Sequence, residues 1–311
     1  MKRSGIFRFV LSCVMAVAGG VAAAEPLPMH EVAPGVYVHQ GAHQDFDDAD
    51  YKGDIANIGF VVGKEAVAVI DTGGSYDIGK SLAQAVAKVT PLPIRYVINT
   101  HVHPDHILGN AAFADANANT HPQFVGHAQL AAAMYESQDT YLREAPARAD
   151  GGKNTIVMPT IKITEPQRLD LGNRTLLLQS WPPAHSTTDL TVLDEQTDTL
   201  WTGDLLFTER TPSVDGDIKG WIQAIDTLKQ KPVALLIPGH GPSPKDQAAA
   251  WDAQRRYLQT LQTDIAQGIK KGQDMSEVMQ HAAAQEKDKW QLFDIINPRN
   301  VNLLFPKMEW Q

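Results

Sequence analysis

Short apolar runs alternate in the first half of the chain with stretches in which apolar residues recur at helical spacing. The runs are rich in β-branched residues and predict β-strands at residues 36–39, 58–62, 66–70, 94–98 and 123–126. Apolar residues three and four positions apart predict helices at residues 77–90 and 127–143. Residues 43–54 contain five aspartates and follow no period, so we expect a loop there, either solvated or folded as a flap over a site.

The second half of the chain repeats this plan. We expect a helix at residues 218–229 and strands at residues 156–163, 168–171, 174–180, 190–194, 199–203 and 233–237. Two β-rich halves, each covered by helices and joined without a linker, predict an α/β (α+β) fold with two packed sheets and helices outside. Residues 246–311 form a C-terminal helical extension, with one helical stretch over residues 245–284 and an aromatic tail that we expect to dock onto the body.

A histidine-rich stretch follows the predicted strand at residues 94–98. Residues 101–106 hold three histidines and an aspartate, and Pro104 ends the strand because it cannot donate to a sheet ladder. Imidazole and carboxylate are the ligands that zinc and similar divalent metals prefer. The alternative is a solvated or pH-sensitive histidine cluster, but buried imidazoles have little structural use without a cation. The stretch therefore predicts a metal site.

Five segments, in order along the chain, resemble the motifs of the metallo-β-lactamase superfamily. The histidine stretch is similar to the signature loop of that family. The segments are Ile70-Asp71-Thr72-Gly73-Gly74, His101-x-His103-x-Asp105-His106, Pro183-Ala184-His185-Ser186, Thr202-Gly203-Asp204 and Pro238-Gly239-His240-Gly241. The resemblance covers residues 30–245 and implies a four-layer αββα sandwich, which we assign to residues 25–245 after a leader at residues 1–24.

The resemblance implies a pair of metal sites. The implied ligands are His101, His103 and His185 for one metal and Asp105, His106 and His240 for the other. The first set leaves a fourth position open, which is typical of catalytic zinc. Asp204, expected on a loop after the strand at residues 199–203, would bridge the metals. Asp71 would support the site from behind by orienting a ligand or the loop.

This ligand set predicts hydrolysis by a water that two zinc ions share. Two zinc ions about 3.5–4 Å apart lower the pKa of such a water, and the hydroxide formed attacks a carbonyl group. Asp105 would orient the hydroxide and accept a proton. Superfamily members that hold iron typically carry an acidic residue where His103 stands, so the histidine favours zinc.

The first 24 residues have the pattern of a cleaved secretory signal rather than of a membrane anchor. Lys2 and Arg3 precede an apolar run, and small residues precede a cleavage position after Ala24. The single cysteine, Cys13, lies in this segment, where continued apolar sequence disfavours lipidation. The mature chain would carry no cysteine and a net charge of −12, from 24 basic and 36 acidic residues. That balance disfavours nucleic acid as a partner, and we expect a periplasmic protein.

Longer segments resemble one branch of the superfamily, the quinoprotein relay system zinc metallohydrolases. The similar segments are residues 102–113, 124–127, 201–210, 212–216 and 297–301. The bridging aspartate departs from true β-lactamases and resembles thioester hydrolases of the glyoxalase II kind. The resemblance implies an exported hydrolase of an ester, thioester, lactone or amide, with a possible periplasmic quinoprotein partner. Two alternatives stay open: a β-lactam hydrolase, and a non-catalytic metal-dependent partner of a quinoprotein dehydrogenase.

Two more residues carry a functional hypothesis beside a structural one. Arg210 lies six positions beyond Asp204 on a predicted loop rim, where its guanidinium would pair with a substrate carboxylate or else lie on the surface. His127 is a possible metal ligand by residue type, but it stands outside every motif, and we expect it to begin a helix instead.

Overall fold

The computed structural model describes residues 25–116 and 121–310, and within these the strands form two sheets. The first sheet runs in chain order: β1 (His30–Ala33), β2 (Val36–His39), β3 (Ile58–Val62), β4 (Val67–Ile70), β5 (Ile94–Ile98), β6 (Gln123–His127) and β7 (Ile161–Ile163). β1 to β4 pair antiparallel, and β4 to β7 pair parallel. The predicted signal at residues 1–24, with Cys13, lies outside the described residues.

The second sheet has the order β12-β11-β10-β9-β8. Its strands are β8 (Gln167–Asp170), β9 (Thr175–Ser180), β10 (Leu190–Asp194), β11 (Thr199–Phe207) and β12 (Leu235–His240). β11 and β12 pair parallel, whereas the other neighbours pair antiparallel. Among the parallel strands, β5 leads into the histidine-rich stretch, and β11 and β12 carry Asp204 and His240.

Helices cover the outer faces of the two sheets. They are α1 (Tyr76–Val89), α2 (Pro104–Ile107), α3 (Asn110–Ala116), α4 (Leu130–Glu144), α5 (Ile218–Leu228), α6 (Gln247–Lys270), α7 (Met275–Met279) and α8 (Phe293–Glu309). A 3-10 helix, Ala284–Lys289, precedes α8. Ser75 caps α1 by accepting a hydrogen bond from the N–H of Ile78, and the helix ends before Pro91, as the sequence predicted.

Three apolar clusters hold the layers together. The cluster between the sheets joins residues such as Val61 and Ile98 of the first sheet to Leu178 and Trp201 of the second. A second cluster packs α1 onto the outer face of the first sheet, and a third packs α5 and α6 onto the outer face of the second. Along β11, Leu200 faces the helices and the adjacent Trp201 faces the other sheet, as strand alternation requires. The predicted four-layer αββα fold is confirmed.

Several predicted boundaries were wrong. β11 continues to Phe207, and register shifts on both sides of Gly203, which has φ +50°, mark a bulge there. Asp204 therefore lies inside this strand and not on a loop after it. The sequence suggested a turn at this point, but the chain forms a bulge at Gly203 and the strand continues. His127 ends β6, and α4 begins only at Leu130.

The C-terminal extension packs against the body of its own chain. Its predicted single helix is divided, since α6 ends at Lys270 and α7 begins at Met275. Tyr257 of α6 and Phe305 of α8 belong to the same buried cluster as the outer face of the second sheet. Trp290 and Phe293 of the aromatic tail belong to that cluster as well. Within the described ranges, no helix combines the length and apolar character needed to span a bilayer.

Candidate metal centre

The predicted ligands meet where strands of the two sheets end side by side. The loop after β5 carries His101 and His103, and the short helix α2 that follows it carries Asp105 and His106. His185 lies on the loop between β9 and β10, and Asp204 lies on β11. His240 ends β12, the parallel neighbour of β11. The ligands are thus positioned by both sheets, so their arrangement depends on the packing of the whole sandwich.

His101, His103, His185 and Asp204 form the first group of ligand atoms. The Nδ1 atom of His103 lies 3.1 Å from Nε2 of His101 and 2.9 Å from Nε2 of His185. These three nitrogens therefore converge on one point, as the face of a tetrahedral site requires. Oδ2 of Asp204 lies 3.3 Å from Nε2 of His185 and completes the group.

Asp105, His106 and His240 form the second group of ligand atoms. Oδ2 of Asp105 lies 3.3 Å from Nε2 of His240 and 3.6 Å from Nε2 of His106. Asp204 also reaches this group, with Oδ1 3.2 Å from Nε2 of His106 and Oδ2 3.3 Å from Nε2 of His240. One carboxylate therefore contacts the imidazoles of both groups, which is the arrangement of a bridging ligand.

Two buried atoms at this centre test whether the residues fit metal ions. Nε2 of His106 and Oδ1 of Asp204 are buried and have no hydrogen-bond partner within the described part of the chain. Leaving such groups unpaired inside a protein costs about 1–3 kcal/mol each. A divalent cation would satisfy both, and the donor set of imidazoles and carboxylates suits zinc. The residues fit a metal centre.

Each of the five histidines is held from behind through its other ring nitrogen. Such contacts fix the tautomer and orientation of a metal ligand. The pairs are His101 Nδ1 with Thr100 Oγ1 at 3.0 Å, His103 Nε2 with Asp215 Oδ2 at 3.0 Å, His106 Nδ1 with Asp71 Oδ2 at 2.8 Å, His185 Nδ1 with the Ser213 carbonyl at 2.8 Å, and His240 Nδ1 with the Ile55 carbonyl at 2.8 Å. The free nitrogens therefore all point to the ligand groups.

Asp71 lies directly behind the signature loop. Besides holding His106, its carboxylate accepts hydrogen bonds from the N–H and the hydroxyl of Thr100, at 2.8 and 2.7 Å. Asp71 has φ +53°, a left-handed conformation that is strained for a residue with a side chain. The position matches the supporting role expected from the sequence, which stays a prediction until a variant is measured.

Burial and neighbouring charges shift the pKa values of the groups at the centre. Burial raises the pKa of Asp204, but the surrounding imidazoles outweigh it and hold that pKa well below its ordinary value. Burial and the neighbouring His106 lower the pKa of His101 well below its ordinary value. Burial also opposes protonation of His106 and His240, yet the charge of Asp204 raises the pKa of both. Metal binding would displace protons from those two rings.

A cavity of about 580 Å³ opens beside the second ligand group. Asp105, Asp204 and His240 form part of its wall. The loop at residues 43–54 and helix α8 form other parts, through residues such as Phe46 and Leu303. Residues 43–54, the covering loop, thus lie over the cavity. This is the position of a flap, which was one of the two alternatives that the sequence allowed for them.

The structure places Arg210 inside this cavity wall and not on a surface rim. Arg210 is only 4% exposed, and its Nη1 donates a hydrogen bond to the carbonyl of Gln44 at 2.6 Å. His127 lies away from the ligand groups, and its Nδ1 accepts a hydrogen bond from the N–H of Gln129.

Sequence reasoning missed Asp215, Tyr51 and Arg299, all of which line the cavity. Asp215 contacts His103 across a separation of 112 residues. Nothing in the spacing of residues 212–216 marked Asp215 as a partner of a ligand.

The comparisons with known proteins identify the family of the chain. The family model of the metallo-β-lactamase superfamily matches residues 51–240, and the chain belongs to that superfamily. This range includes both ligand groups. The fold, the His/Asp groups and the family together identify a metallo-hydrolase.

The solved relatives are similar in fold rather than in sequence. The stereoselective inverting sec-alkylsulfatase Pisa1 from Pseudomonas sp. has a TM-score of 0.70 at 20% identity, covering 90% of this chain and 50% of that one. A metallo-β-lactamase from Pontibacter korlensis has a TM-score of 0.58 at 19% identity, covering 75% of this chain and 99% of that one.

One curated relative is similar over a short segment. The linear primary-alkylsulfatase of Pseudomonas sp. (strain ATCC 19151) is 39% identical over 49 residues, which are 16% of this chain and 9% of that protein. The chain thus spans half the length of the sec-alkylsulfatase and matches a small part of the primary-alkylsulfatase.

Proposed function

We propose that the chain is a dinuclear zinc hydrolase of an ester, thioester, lactone or amide bond. The observation that carries this proposal is the position of Asp204, whose carboxylate contacts histidines of both ligand groups beside an open cavity. Such a bridge favours two metals close together over one structural ion. The ligand atoms are nitrogen and oxygen throughout, without sulfur, and this combination suits zinc.

Bound zinc ions would supply Lewis acidity and an activated water at neutral pH. The residues of the chain then have separate tasks. Asp105 lies at the cavity wall with one oxygen on the His240 side, where its carboxylate can orient the attacking water and take up its proton. Thr100, Asp71 and the carbonyl groups behind the histidines keep the ligand nitrogens aimed at the centre. The covering loop and α8 limit the access of bulk water.

The cellular role is a further part of this proposal. The signal pattern of residues 1–24 supports export to the periplasm, and the segments at residues 212–216 and 297–301 support a link to quinoprotein dehydrogenases. Both can be tested in the host cell by fractionation and by copurification with a dehydrogenase. Recovery in the cytosol with the leader intact would overturn the export assignment.

The catalytic proposal is tested with the zinc-reconstituted mature chain. Elemental analysis should give two zinc ions per chain, and a panel of esters, thioesters, lactones and amides should show turnover for at least one class. Chelator treatment and Asp105→Asn should each abolish that turnover. A stoichiometry near one would remove the dinuclear centre. Full zinc loading without turnover on any class would instead support a non-catalytic partner of a dehydrogenase.

Two other substrate classes belong in the same panel. Sulfate esters are included because the sec-alkylsulfatase covers 90% of this chain, a larger share than the 75% covered by the metallo-β-lactamase. β-Lactams are included because that fold relative is a β-lactamase. Nitrocefin gives a colour test for the second class, and release of inorganic sulfate from an alkyl sulfate tests the first. Turnover confined to either class would replace the acyl substrate proposed above.

A further inference from the structure

Arg210 is a buried cation in the cavity wall that lacks a carboxylate partner. Among the described residues, no carboxylate lies within ion-pair distance of its guanidinium, and its buried Nε has no hydrogen-bond partner. One buried donor is satisfied by the Gln44 carbonyl, but a buried guanidinium with unused donors is costly in the free protein. An anion in the cavity would offset the cost of burying that positive charge.

A second arginine in the same wall provides an internal comparison. Arg299 on α8 lines the cavity too, but its charge is already paired. Its guanidinium donates to Asp45 at 2.6 Å and to Asp47 at 2.8 Å, and it stacks 4.6 Å from the centre of the Phe46 ring. Arg299 therefore fastens the covering loop to α8, and Arg210 is the arginine available to a ligand.

Tyr51, on the covering loop, adds a second free donor. Its ring lines the cavity, and within the described ranges its hydroxyl has no hydrogen-bond partner. A Cβ added to Gly74 would lie 2.5 Å from that hydroxyl and 3.1 Å from the Cα of Asp105, so the hydroxyl lies near the signature loop.

The rest of the cavity is suited to an apolar group. Phe46 and Leu303 line it and are 51% and 41% exposed, although most large apolar side chains of the protein are buried. Leu108 and Ile296 extend the same wall. Exposed apolar side chains grouped around one cavity mark a binding surface better than isolated ones do.

We propose that the cavity binds a substrate with an anionic oxygen group, a carboxylate or a sulfate, attached to an apolar body. The anion accepts hydrogen bonds from Arg210 and the Tyr51 hydroxyl, and the apolar body lies between Phe46 and α8. Arg210 and Tyr51 are then residues that determine substrate specificity. This inference rests on the proposed hydrolase function for its kinetic test, but its binding test does not require turnover.

The kinetic test compares 4-nitrophenyl hydrogen suberate with its neutral methyl ester on the zinc-loaded enzyme. We expect the wild type to prefer the acid. Arg210→Gln should lower kcat/KM for the acid about 10- to 100-fold more than for the methyl ester, mainly through KM, because a hydrogen bond to a charged group is lost. Tyr51→Phe should act in the same direction by about 3- to 10-fold. Arg168→Gln is the control, because Arg168 forms an exposed ion pair and does not line the cavity. It should leave kcat/KM for both esters unchanged.

The binding test uses calorimetry with 4-phenylbutyrate, 4-phenylbutyl sulfate and the neutral 4-phenylbutanol. The two anions should bind the wild type more tightly than the alcohol, and Arg210→Gln should remove most of that difference while Arg210→Lys retains part of it. Whichever of the two anions binds more tightly, the carboxylate or the sulfate, would identify the anionic group that the site prefers. If Arg210→Gln weakens the binding of all three ligands equally, or lowers kcat/KM equally for both esters, the anion site is wrong and the hydrolase function is unaffected. If neither ester is hydrolysed but anion binding depends on Arg210, the proposed hydrolase function is wrong and the anion site is supported.

Discussion

Asn300 of α8 accepts a hydrogen bond from the N–H of Val214 at 2.9 Å and donates to the carbonyl of Pro212 at 2.7 Å. The segment between these contacts carries the Ser213 carbonyl that holds His185, and the adjacent Asp215 holds His103. The C-terminal extension therefore supports the first ligand group through one short segment. This relationship gives the extension a role at the metal centre without placing any ligand on it.

Asn300→Ala is expected to weaken zinc binding more than its effect on folding predicts. Loss of both contacts frees residues 212–216, and partners that orient metal ligands typically contribute about 10- to 100-fold to metal affinity. We expect a loss of about 10-fold for this indirect contact, measured by chelator competition, with altered visible absorption of the cobalt-substituted protein.

Asn297→Ala is the matched control for that experiment. Asn297 is buried on the same helix and bonds to the Tyr257 hydroxyl and the Ala282 carbonyl, but its side chain makes no hydrogen bond to residues 212–216. It should lower the melting temperature comparably and leave the cobalt spectrum unchanged. Equal losses of zinc affinity in both variants would show that Asn300 acts only through general stability.

Asp105→Asn and Asp71→Ala should separate chemistry from support. Asp105→Asn is nearly isosteric, so the remaining ligands should still bind metal while turnover falls by several orders of magnitude, because a ligand charge and a proton acceptor are lost. Asp71→Ala leaves three buried donors without an acceptor and puts alanine at φ +53°, so stability should fall first. Turnover and thermal unfolding of both variants with excess zinc are the measurements. Near wild-type turnover in Asp105→Asn would exclude the role given to that carboxylate.

The sequence predicted the parts of the centre that local patterns specify. His101 to His106 are close together because a strand end and Pro104 confine them, and the five motifs supplied the ligands on other strands. The placement of Asp204 failed because a bulge in a strand depends on pairing with β12, which local sequence does not encode. Asp215 and Asn300 were not predicted as supports, since each acts across a long separation through packing of the finished sandwich.

Arg174→Ala should destabilise the sandwich itself. Arg174 is buried beside β9, where it forms a two-bond pair with Asp194 and donates to the carbonyls of Pro34 and Val62 from the first sheet. Removing it leaves the buried Asp194 charge unpaired, which typically costs about 3–5 kcal/mol. Urea unfolding would measure this loss.

The exposed pair of Arg168 and Glu195 is the control for Arg174. Its geometry is similar, but the Arg168 side chain is 63% exposed, and Arg168→Ala should cost under about 1 kcal/mol. The double variant Arg174→Ala/Asp194→Ala should recover part of the stability lost in Arg174→Ala. If the two arginine variants are equally stable, the link between the sheets contributes little.

The pair of His39 and Asp54 should make stability depend on pH near neutrality. Nδ1 of His39 donates to the carbonyl of Pro28 at 3.0 Å, and Nε2 lies 2.7 Å from the Asp54 carboxylate, so the protonated ring can use both contacts. Burial alone would lower the pKa of His39, but the bond to Asp54 and its charge outweigh burial and raise that pKa above its ordinary value. The pair therefore stabilises the fold fully below the pKa of an unfolded histidine, about 6.5.

This stabilisation should disappear as pH rises through the raised pKa of His39, and Asp54→Asn isolates it. Both proteins carry the same candidate metal ligands, so the difference between their melting temperatures reports on the pair. We expect the wild type to exceed Asp54→Asn most at about pH 6 and least at about pH 9. Thermal unfolding of the zinc-loaded proteins at intermediate pH values measures the difference. A gap that is constant or that widens toward high pH would mean that His39 is neutral in the folded protein and that its contact with Asp54 is an uncharged hydrogen bond.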